Sequence, residues 1–196
     1  VSPPISTNIL TSIPPKRIIL GDRDKQLYEV PIPNSHIGQK NLNVRFLSTF
    51  RTNTMVGDCS CYMNLRCSCR KQCNPSHSII FHAHGGAFVA QTSKSHETYL
   101  KYWARETDVP ILSVDYSLAP EAPYPRAAEE VFYAYCWMRN NFELLGTTGE
   151  NIIFAGDSAG ATLVIGAAMK CIYHNLPGPN SLFLHYPALI VQTFPS

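Results

Sequence analysis

The stretch Asn151-Ile-Ile-Phe-Ala-Gly-Asp-Ser-Ala-Gly-Ala-Thr162 decides the fold prediction for this chain. Its apolar run from Ile152 to Ala155 is typical of a buried strand, and small residues at helical spacing continue from Ala159 to Met169. Between the two stands the pattern G-x-S-x-G, with Ser158 at its centre. A serine between a strand and a helix indicates a nucleophile elbow, while the alternative is an ordinary Gly-Ser turn that caps a helix.

Ser158 is therefore the candidate nucleophile. Bulk at Gly156 or Gly160 is expected to collide with the neighbouring strand or helix, which explains why glycine is needed there. The amide of Ala159 would lie at the helix N-terminus and be free to donate to a developing oxyanion. The stretch predicts a reaction in which a serine attacks and negative charge develops on an oxygen beside it.

Strands and helices are predicted to alternate from residue 78 onward. The predicted strands are Ser78–His82, Ile111–Tyr116, Ile152–Ala155 and Ser181–Tyr186. The predicted helices are Ser95–Glu106, a long helix from Pro125 through Leu145, and Ala159–His174. This alternation predicts an α/β fold with a parallel sheet that is covered on both faces.

A second cluster, His82-Ala-His84-Gly85-Gly86-Ala87-Phe88, directly follows the first of these strands. Backbone amides that converge on one oxyanion need residues without bulky side chains, so Gly85 and Gly86 are the predicted donors together with Ala159. The alternative is a plain Gly-Gly turn. His84 is expected to anchor the loop through a backbone hydrogen bond, and His82 is expected to be a core residue.

Three motifs together resemble the hormone-sensitive lipase branch of the α/β-hydrolases. They are His84-Gly-Gly, Asp115-Tyr-Ser-Leu-Ala-Pro-Glu121 and Gly156-Asp-Ser-Ala-Gly160, and the resemblance extends from about residue 79 to 189. It implies an α/β-hydrolase fold and a serine hydrolase of lipid esters, with acylglycerols as the first candidate substrates and steryl or retinyl esters as further ones. It also implies a cytosolic protein that acts at lipid droplets and needs no cofactor, metal ion or nucleic acid.

The resemblance also assigns roles by position. It makes Ser158 the nucleophile and gives the oxyanion hole to Gly85, Gly86 and Ala159. His84, Asp115 and Glu121 are expected to brace the loops by hydrogen bonding. The chain departs from the family pattern at Ala87 and Ala161, where the family has glycine. A positive φ at Ala87 would cost about 1–2 kcal/mol and could distort the oxyanion hole, whereas Ala161 inside a helix should be tolerated.

The composition restricts the class of protein. Of the 196 residues, 45% are hydrophobic and 15% are charged, which suits one domain with a largely covered sheet. A net charge of +2 is too small to indicate nucleic-acid binding, and we find no apolar run of membrane-spanning length. No signal segment is found either, and the ends look like cuts in a longer protein.

Five of the seven cysteines lie between Cys59 and Cys73. This polar segment without periodicity is predicted to be an exposed, poorly ordered insertion with reduced thiols. A zinc site is the alternative, although C-x-C pairs are tighter than the usual ligand spacing. Cys136 and Cys171 fall in helical patterns and are expected to be small core residues.

The chain is divided into three parts by its patterns. Residues 1–25 are predicted to be an extended, proline-rich segment. Residues 26–77 are predicted to hold edge strands, with an antiparallel pair at residues 26–32 and 42–47, and the Cys-rich loop. Residues 78–196 are predicted to form the core of the fold, truncated before its last strands.

The rest of a catalytic triad is not predicted within this chain. Only 38 residues follow Ser158 (196 − 158), and neither His174 nor His185 is expected to act as the base. An isolated chain is therefore expected to hydrolyse p-nitrophenyl esters barely above background. Two alternatives stay open: a non-catalytic chain that binds lipid or a partner, and a Cys-rich metal module attached to a degenerate hydrolase.

Overall fold

A six-stranded sheet forms the centre of the protein. The structure, a computed structural model, describes residue 5 and residues 7–50 and 74–189. The strands are β1 (Thr7–Ile13), β2 (Ile18–Gly21), β3 (Leu27–Val30), β4 (Leu42–Ser48), β5 (Ser76–Ala83), β6 (Ile111–Asp115), β7 (Thr147–Asp157) and β8 (Ser181–His185). The helices are α1 (Glu97–Thr107), α2 (Arg126–Arg139) and α3 (Ala159–Tyr173), with a 3₁₀ helix at Glu143–Leu145.

The order of the large sheet is β1-β4-β6-β5-β7-β8. Strands β6, β5, β7 and β8 run parallel, whereas β1 and β4 join antiparallel at one side. Buried side chains of α1, Leu100 and Ala104, cover one face, and α2 and α3 contribute to the core on the other. The predicted parallel sheet with helices on both faces is confirmed.

The predicted pairing of residues 26–32 with 42–47 is wrong. Strand β3 instead pairs with β2 in a separate two-stranded sheet, and β4 lies between β1 and β6. The physical reason is burial, because six of the seven residues of β4 are buried, which an inner strand allows and an edge hairpin does not. The proline-rich segment of residues 1–25 also contributes more than an extended approach, since it contains β1 and β2.

The long helix predicted to reach Leu145 is also shorter than expected. Helix α2 ends at Arg139, where the Asn141 side chain donates to the carbonyl of Trp137 at 2.7 Å, and Leu145 belongs to the 3₁₀ helix. Asparagine commonly ends a helix in this way because its amide competes for the free carbonyls. Cys136 and Cys171 are fully buried, as predicted, and the segment from Cys59 to Cys73 lies outside the described residues.

Candidate active site

The turn between β7 and α3 has the strained geometry of a nucleophile elbow. Ser158 adopts φ 49° and ψ −115°, which L-residues rarely populate. Its amide donates to the carbonyl of His185 at 2.9 Å, which fixes the turn to the end of β8. A Cβ on Gly160 would lie 2.1 Å from the carbonyl oxygen of Ala83, so only glycine lets α3 begin this close to β5.

The loop after β5 closes over the same edge of the sheet. Gly86 has φ 112°, and a Cβ there would lie 2.1 Å from the carbonyl oxygen of Ala90. Ala87 has φ 53°, so the position that departs from the family pattern does require the left-handed conformation. The methyl group of Ala87 therefore carries the strain that was expected if φ were positive there.

The elbow and the loop share one open cavity of about 630 Å³. Because β5 and β7 are neighbours and parallel, their carboxyl ends bring the loop and the elbow to one crevice. The lining includes Ser158, Gly85, Gly86, Ala87, His96, Tyr99 and Tyr186. The predicted placement of the serine and the glycine pair at the ends of adjacent strands is confirmed, while their catalytic roles stay predictions.

The backbone amides of this loop and of α3 differ in whether they are free to donate to an oxyanion. The Gly85 amide donates to His96 Nε2 at 3.3 Å, so its predicted oxyanion role would require this bond to break. In the described part of the chain, the amides of Gly86 and Ala87 have no hydrogen-bond partner. The amide of Ala159 stands at the first position of α3, where an N–H has no partner within its helix.

Asp157, directly before the nucleophile candidate, is buried at the centre of a polar cluster. Its Oδ1 lies 2.7 Å from His185 Nδ1, and its Oδ2 accepts a hydrogen bond from the Tyr99 hydroxyl. His82 Nε2 and His96 Nε2 approach Oδ2 at 3.5 and 3.4 Å. The carboxylate thus ties β5, β7, β8 and α1 together immediately behind Ser158.

The pKa values of this cluster follow from burial and pairing. Burial raises the pKa of Asp157, but hydrogen bonds from His82, Tyr99 and His185 outweigh it and hold that pKa well below its usual range. Burial, together with the hydrogen bond to Asp157, raises the pKa of Tyr99 well above its usual value. Burial lowers the pKa of His82, so this ring is neutral and bonds to Ser113 and Tyr99 as a core residue.

His84 anchors the loop in the predicted way. Its Nδ1 bonds to the carbonyl of Gly85 at 2.7 Å, and its ring stacks on Tyr116, whose hydroxyl donates to the His84 carbonyl at 2.8 Å. Burial lowers the pKa of His84 to about 4, so the ring is neutral at physiological pH. Asp115 accepts from the Ser93 amide at 2.5 Å, a loop contact of the kind expected.

Glu121 does not brace the loop by hydrogen bonding in the way that was predicted. Glu121 is exposed and makes no hydrogen bond among the described residues. Glu130 braces this loop instead, because its carboxylate accepts from the amide and the hydroxyl of Ser117 at 2.6 and 2.8 Å. Arg126 Nε also donates to it at 2.6 Å. A Glu four residues after an Arg on the core face of a helix is the signal that could have identified this buried pair.

The two histidines that follow Ser158 in the sequence lie in different places relative to it. His174, at the far end of α3, packs its ring against that of Tyr28, with the centroids 4.5 Å apart and the planes tilted by 38°. His185 lies beside Ser158 and bonds to Asp157, a proximity that the sequence did not predict. Among the described residues nothing hydrogen-bonds to the Ser158 hydroxyl, so neither histidine is in position as its base in this structure. The signal for His185 was its place at the end of the strand that follows the elbow helix.

Comparison with known families agrees with this geometry. Residues 80–196 match the family described as alpha/beta hydrolase fold, and residues 1–56 match the family described as hormone-sensitive lipase N-terminus. The chain belongs to the alpha/beta hydrolase fold family. This alpha/beta hydrolase is 53% identical to the hormone-sensitive lipases of Bos taurus over 123 residues and of Homo sapiens over 122 residues.

The matches cover only part of those relatives. The aligned part is 63% of this alpha/beta hydrolase chain and 16% of the bovine lipase, and 62% and 11% for the human one. Among solved structures, the thermophilic carboxylesterase EstE1 from a metagenomic library superposes with a TM-score of 0.69 at 22% identity, covering 100% of this chain and 52% of that one. The likeness to EstE1 establishes the fold alone.

Two kinds of feature are absent from the described residues. No helix there is both long and apolar enough to cross a membrane. No group of three or more histidine, cysteine or acidic residues in that part of the chain could hold a metal ion.

Proposed function

We propose that this chain carries the nucleophile and the oxyanion hole of a carboxylic-ester hydrolase that acts on lipid esters. The observation that supports this most strongly is the backbone of Ser158, held at φ 49° on the elbow between β7 and α3 and lining one cavity with the loop of Gly86. Backbone strain of this kind persists where the surrounding structure enforces it, which is common at active sites.

In this reaction Ser158 Oγ attacks the carbonyl carbon of the ester and gives up its proton to a base. The carbonyl oxygen becomes an oxyanion, which accepts from the amides of Gly86 and Ala159, with Ala87 as a further donor. The base then gives this proton to the departing alcohol, and water releases the acid from the acyl-enzyme. Gly85 joins the donors only when its bond to His96 is broken, and otherwise shapes the loop.

An apolar pocket next to the cavity supports a lipid acyl chain as the substrate group. This pocket has a volume of about 310 Å³ and is lined almost entirely by apolar side chains, among them Phe88, Pro123 and Leu163. Ala87 and Val89 line both the pocket and the cavity that contains Ser158. An acyl chain bound at the serine can therefore extend past these two residues into the pocket.

The similarity to hormone-sensitive lipases supports the same substrate class, namely acylglycerols and related esters. It also supports a cytoplasmic place of action at the surface of a lipid droplet. A fluorescent fusion of the longer protein that collects on oleate-induced droplets is the expected result, and an even distribution through the cell would contradict this part of the proposal.

Binding without turnover is a second candidate function. Two observations favour it: the Ser158 hydroxyl has no base among the described residues, and Ala87 carries a strained φ in the loop that must form the hole. A chain of this kind would hold a fatty acyl group in the apolar pocket and leave the ester intact.

Labelling with a fluorophosphonate separates these two functions. In the longer protein that contains this chain we expect one mass addition at Ser158 and hydrolysis of p-nitrophenyl butyrate, both abolished by Ser158→Ala. Ser95→Ala is the matched control, since Ser95 lines the same cavity. Binding of a fatty acid without labelling or turnover would favour the second candidate. The 196-residue chain alone is expected to show turnover barely above background.

A further inference from the structure

His96, at the start of α1, touches both the oxyanion loop and the carboxylate behind the nucleophile. Its Nε2 accepts from the Gly85 amide at 3.3 Å and lies 3.4 Å from Asp157 Oδ2. Its Nδ1 is buried and has no hydrogen-bond partner among the described residues. No other described side chain bonds to a backbone amide of the loop 85–87.

The two contacts of His96 Nε2 require this nitrogen to be unprotonated in one case and protonated in the other. Nε2 accepts from Gly85 only with a free lone pair, which in a neutral ring places the proton on Nδ1. Nε2 donates to Asp157 only when it carries a proton, and the Gly85 amide then loses its acceptor. The buried Nδ1 has no partner to fix either tautomer, so the contacts of Nε2 decide between them.

We propose that His96 is a positioning residue that sets the shape of the oxyanion loop by holding or releasing the Gly85 amide. With Nε2 unprotonated, Gly85 is held and the next two amides, of Gly86 and Ala87, are left for the substrate oxygen. With Nε2 protonated, His96 turns to Asp157 and the loop loses this anchor. The inference rests on the proposed ester hydrolysis and adds the residue that controls its oxyanion hole.

Several charged or titratable groups face His96 from the elements packed around it. His82 and His84 of β5 and the loop after it have ring centroids 5.7 and 6.1 Å away, and Tyr99 of α1 is 5.5 Å away. Among the described residues, Asp157 of β7 is the one carboxylate in contact with His96, and it also bonds to His185 of β8. The neutral His82 and His84 rings add no charge, so Asp157 is the acceptor toward which a protonated Nε2 can turn.

The test compares kcat and KM of three variants of the longer protein for p-nitrophenyl butyrate. We expect His96→Ala to lower kcat by about tenfold to a hundredfold with little change in KM, because a small misplacement of a reactive group costs this much. His96→Gln keeps a side-chain acceptor for the Gly85 amide, so it should recover part of kcat. The exposed His77→Gln is the matched control.

A second measurement does not depend on turnover. In ¹⁵N-labelled protein the Gly85 amide shift should move from its wild-type value in His96→Ala and by a smaller amount in His96→Gln. An unchanged kcat in both His96 variants, or a Gly85 amide shift that stays at its wild-type value in both, would overturn the proposal. If His96→Ala does not fold, kcat and the Gly85 amide shift of His96→Gln still test the proposal. Activity that survives Ser158→Ala would instead refute the proposed function and leave the Gly85 measurement intact.

Discussion

The Ser158 amide donates to the carbonyl oxygen of His185 at 2.9 Å, so the nucleophile candidate is tied to the carboxyl end of β8. Asp157 and His185 are register partners on the parallel strands β7 and β8, and their side chains also bond at 2.7 Å. The strained φ of Ser158 is thus held by a neighbouring strand as well as by its own helix, which gives the elbow one defined geometry.

Gly160→Ala should destabilise the protein by at least about 3 kcal/mol, the upper end of ordinary overpacking. The added Cβ would lie 2.1 Å from the Ala83 carbonyl oxygen and 2.4 Å from that of His84, and backbone cannot move aside cheaply. Urea unfolding measures the change. Gly166→Ala in the same helix is the control, because a Cβ there meets nothing within 4 Å and should stabilise by roughly 1 kcal/mol. Equal effects of the two substitutions would contradict the close packing of α3 on β5.

Asp157→Asn should lower the free energy of unfolding at pH 7 by about 3 kcal/mol, since hydrogen bonds to a charged group contribute about 1.5–3 kcal/mol. The pKa of Asp157 is lower in the folded than in the unfolded state, so this stabilisation is present above about pH 4 and is lost as the pH falls further. Denaturant unfolding of both proteins from pH 3 to pH 8 should show the difference shrinking below pH 4. The exposed Asp24→Asn should have little effect, and a difference that does not depend on pH would refute the ionised cluster.

Glu130→Gln should destabilise by about 3–5 kcal/mol, because it leaves the fully buried Arg126 guanidinium without its carboxylate. Thermal unfolding measures the loss. The exposed pair of Arg17 and Glu29 supplies the control, since Glu29→Gln breaks a bond of similar length and should cost 0–1 kcal/mol. Similar losses in the two variants would mean that burial of the Arg126 pair does not matter.

Ala87→Gly should relieve about 1–2 kcal/mol of left-handed strain, offset by roughly 0.4–1 kcal/mol of added freedom in the unfolded chain. Stability should therefore stay equal or rise slightly, and kcat should rise if the methyl group distorts the hole. Ala90→Gly in the same loop has no positive φ to relieve and should only destabilise. Unfolding midpoints and kcat of both variants, compared with those of the unmodified protein, test this prediction. A clear loss of stability in Ala87→Gly would contradict backbone strain at Ala87.

Local patterns predicted the parallel strands, the three helices and the elbow because each rests on neighbours within a few residues of chain. The run Ile152–Ala155, the G-x-S-x-G pattern and the small residues after Ala159 need no distant partner to be interpreted. The same reasoning failed for β3 and β4, because the local sequence of a short strand does not specify which strand it pairs with. Pairing was settled by burial, since β4 is covered on both faces and therefore lies inside the sheet.

By itself the sequence determined that a serine follows a buried strand, and that a glycine pair follows another. Only the tertiary structure decided which polar groups meet behind them, because Asp157, His185 and His96 are separated along the chain by 28 and 61 residues. Their contacts depend on the order of β5, β7 and β8 and on the placement of α1. The hydrogen bond from the Gly85 amide to His96 also depends on the tertiary structure. The two residues are 11 positions apart, and no local pattern specifies where the chain between them returns to the loop.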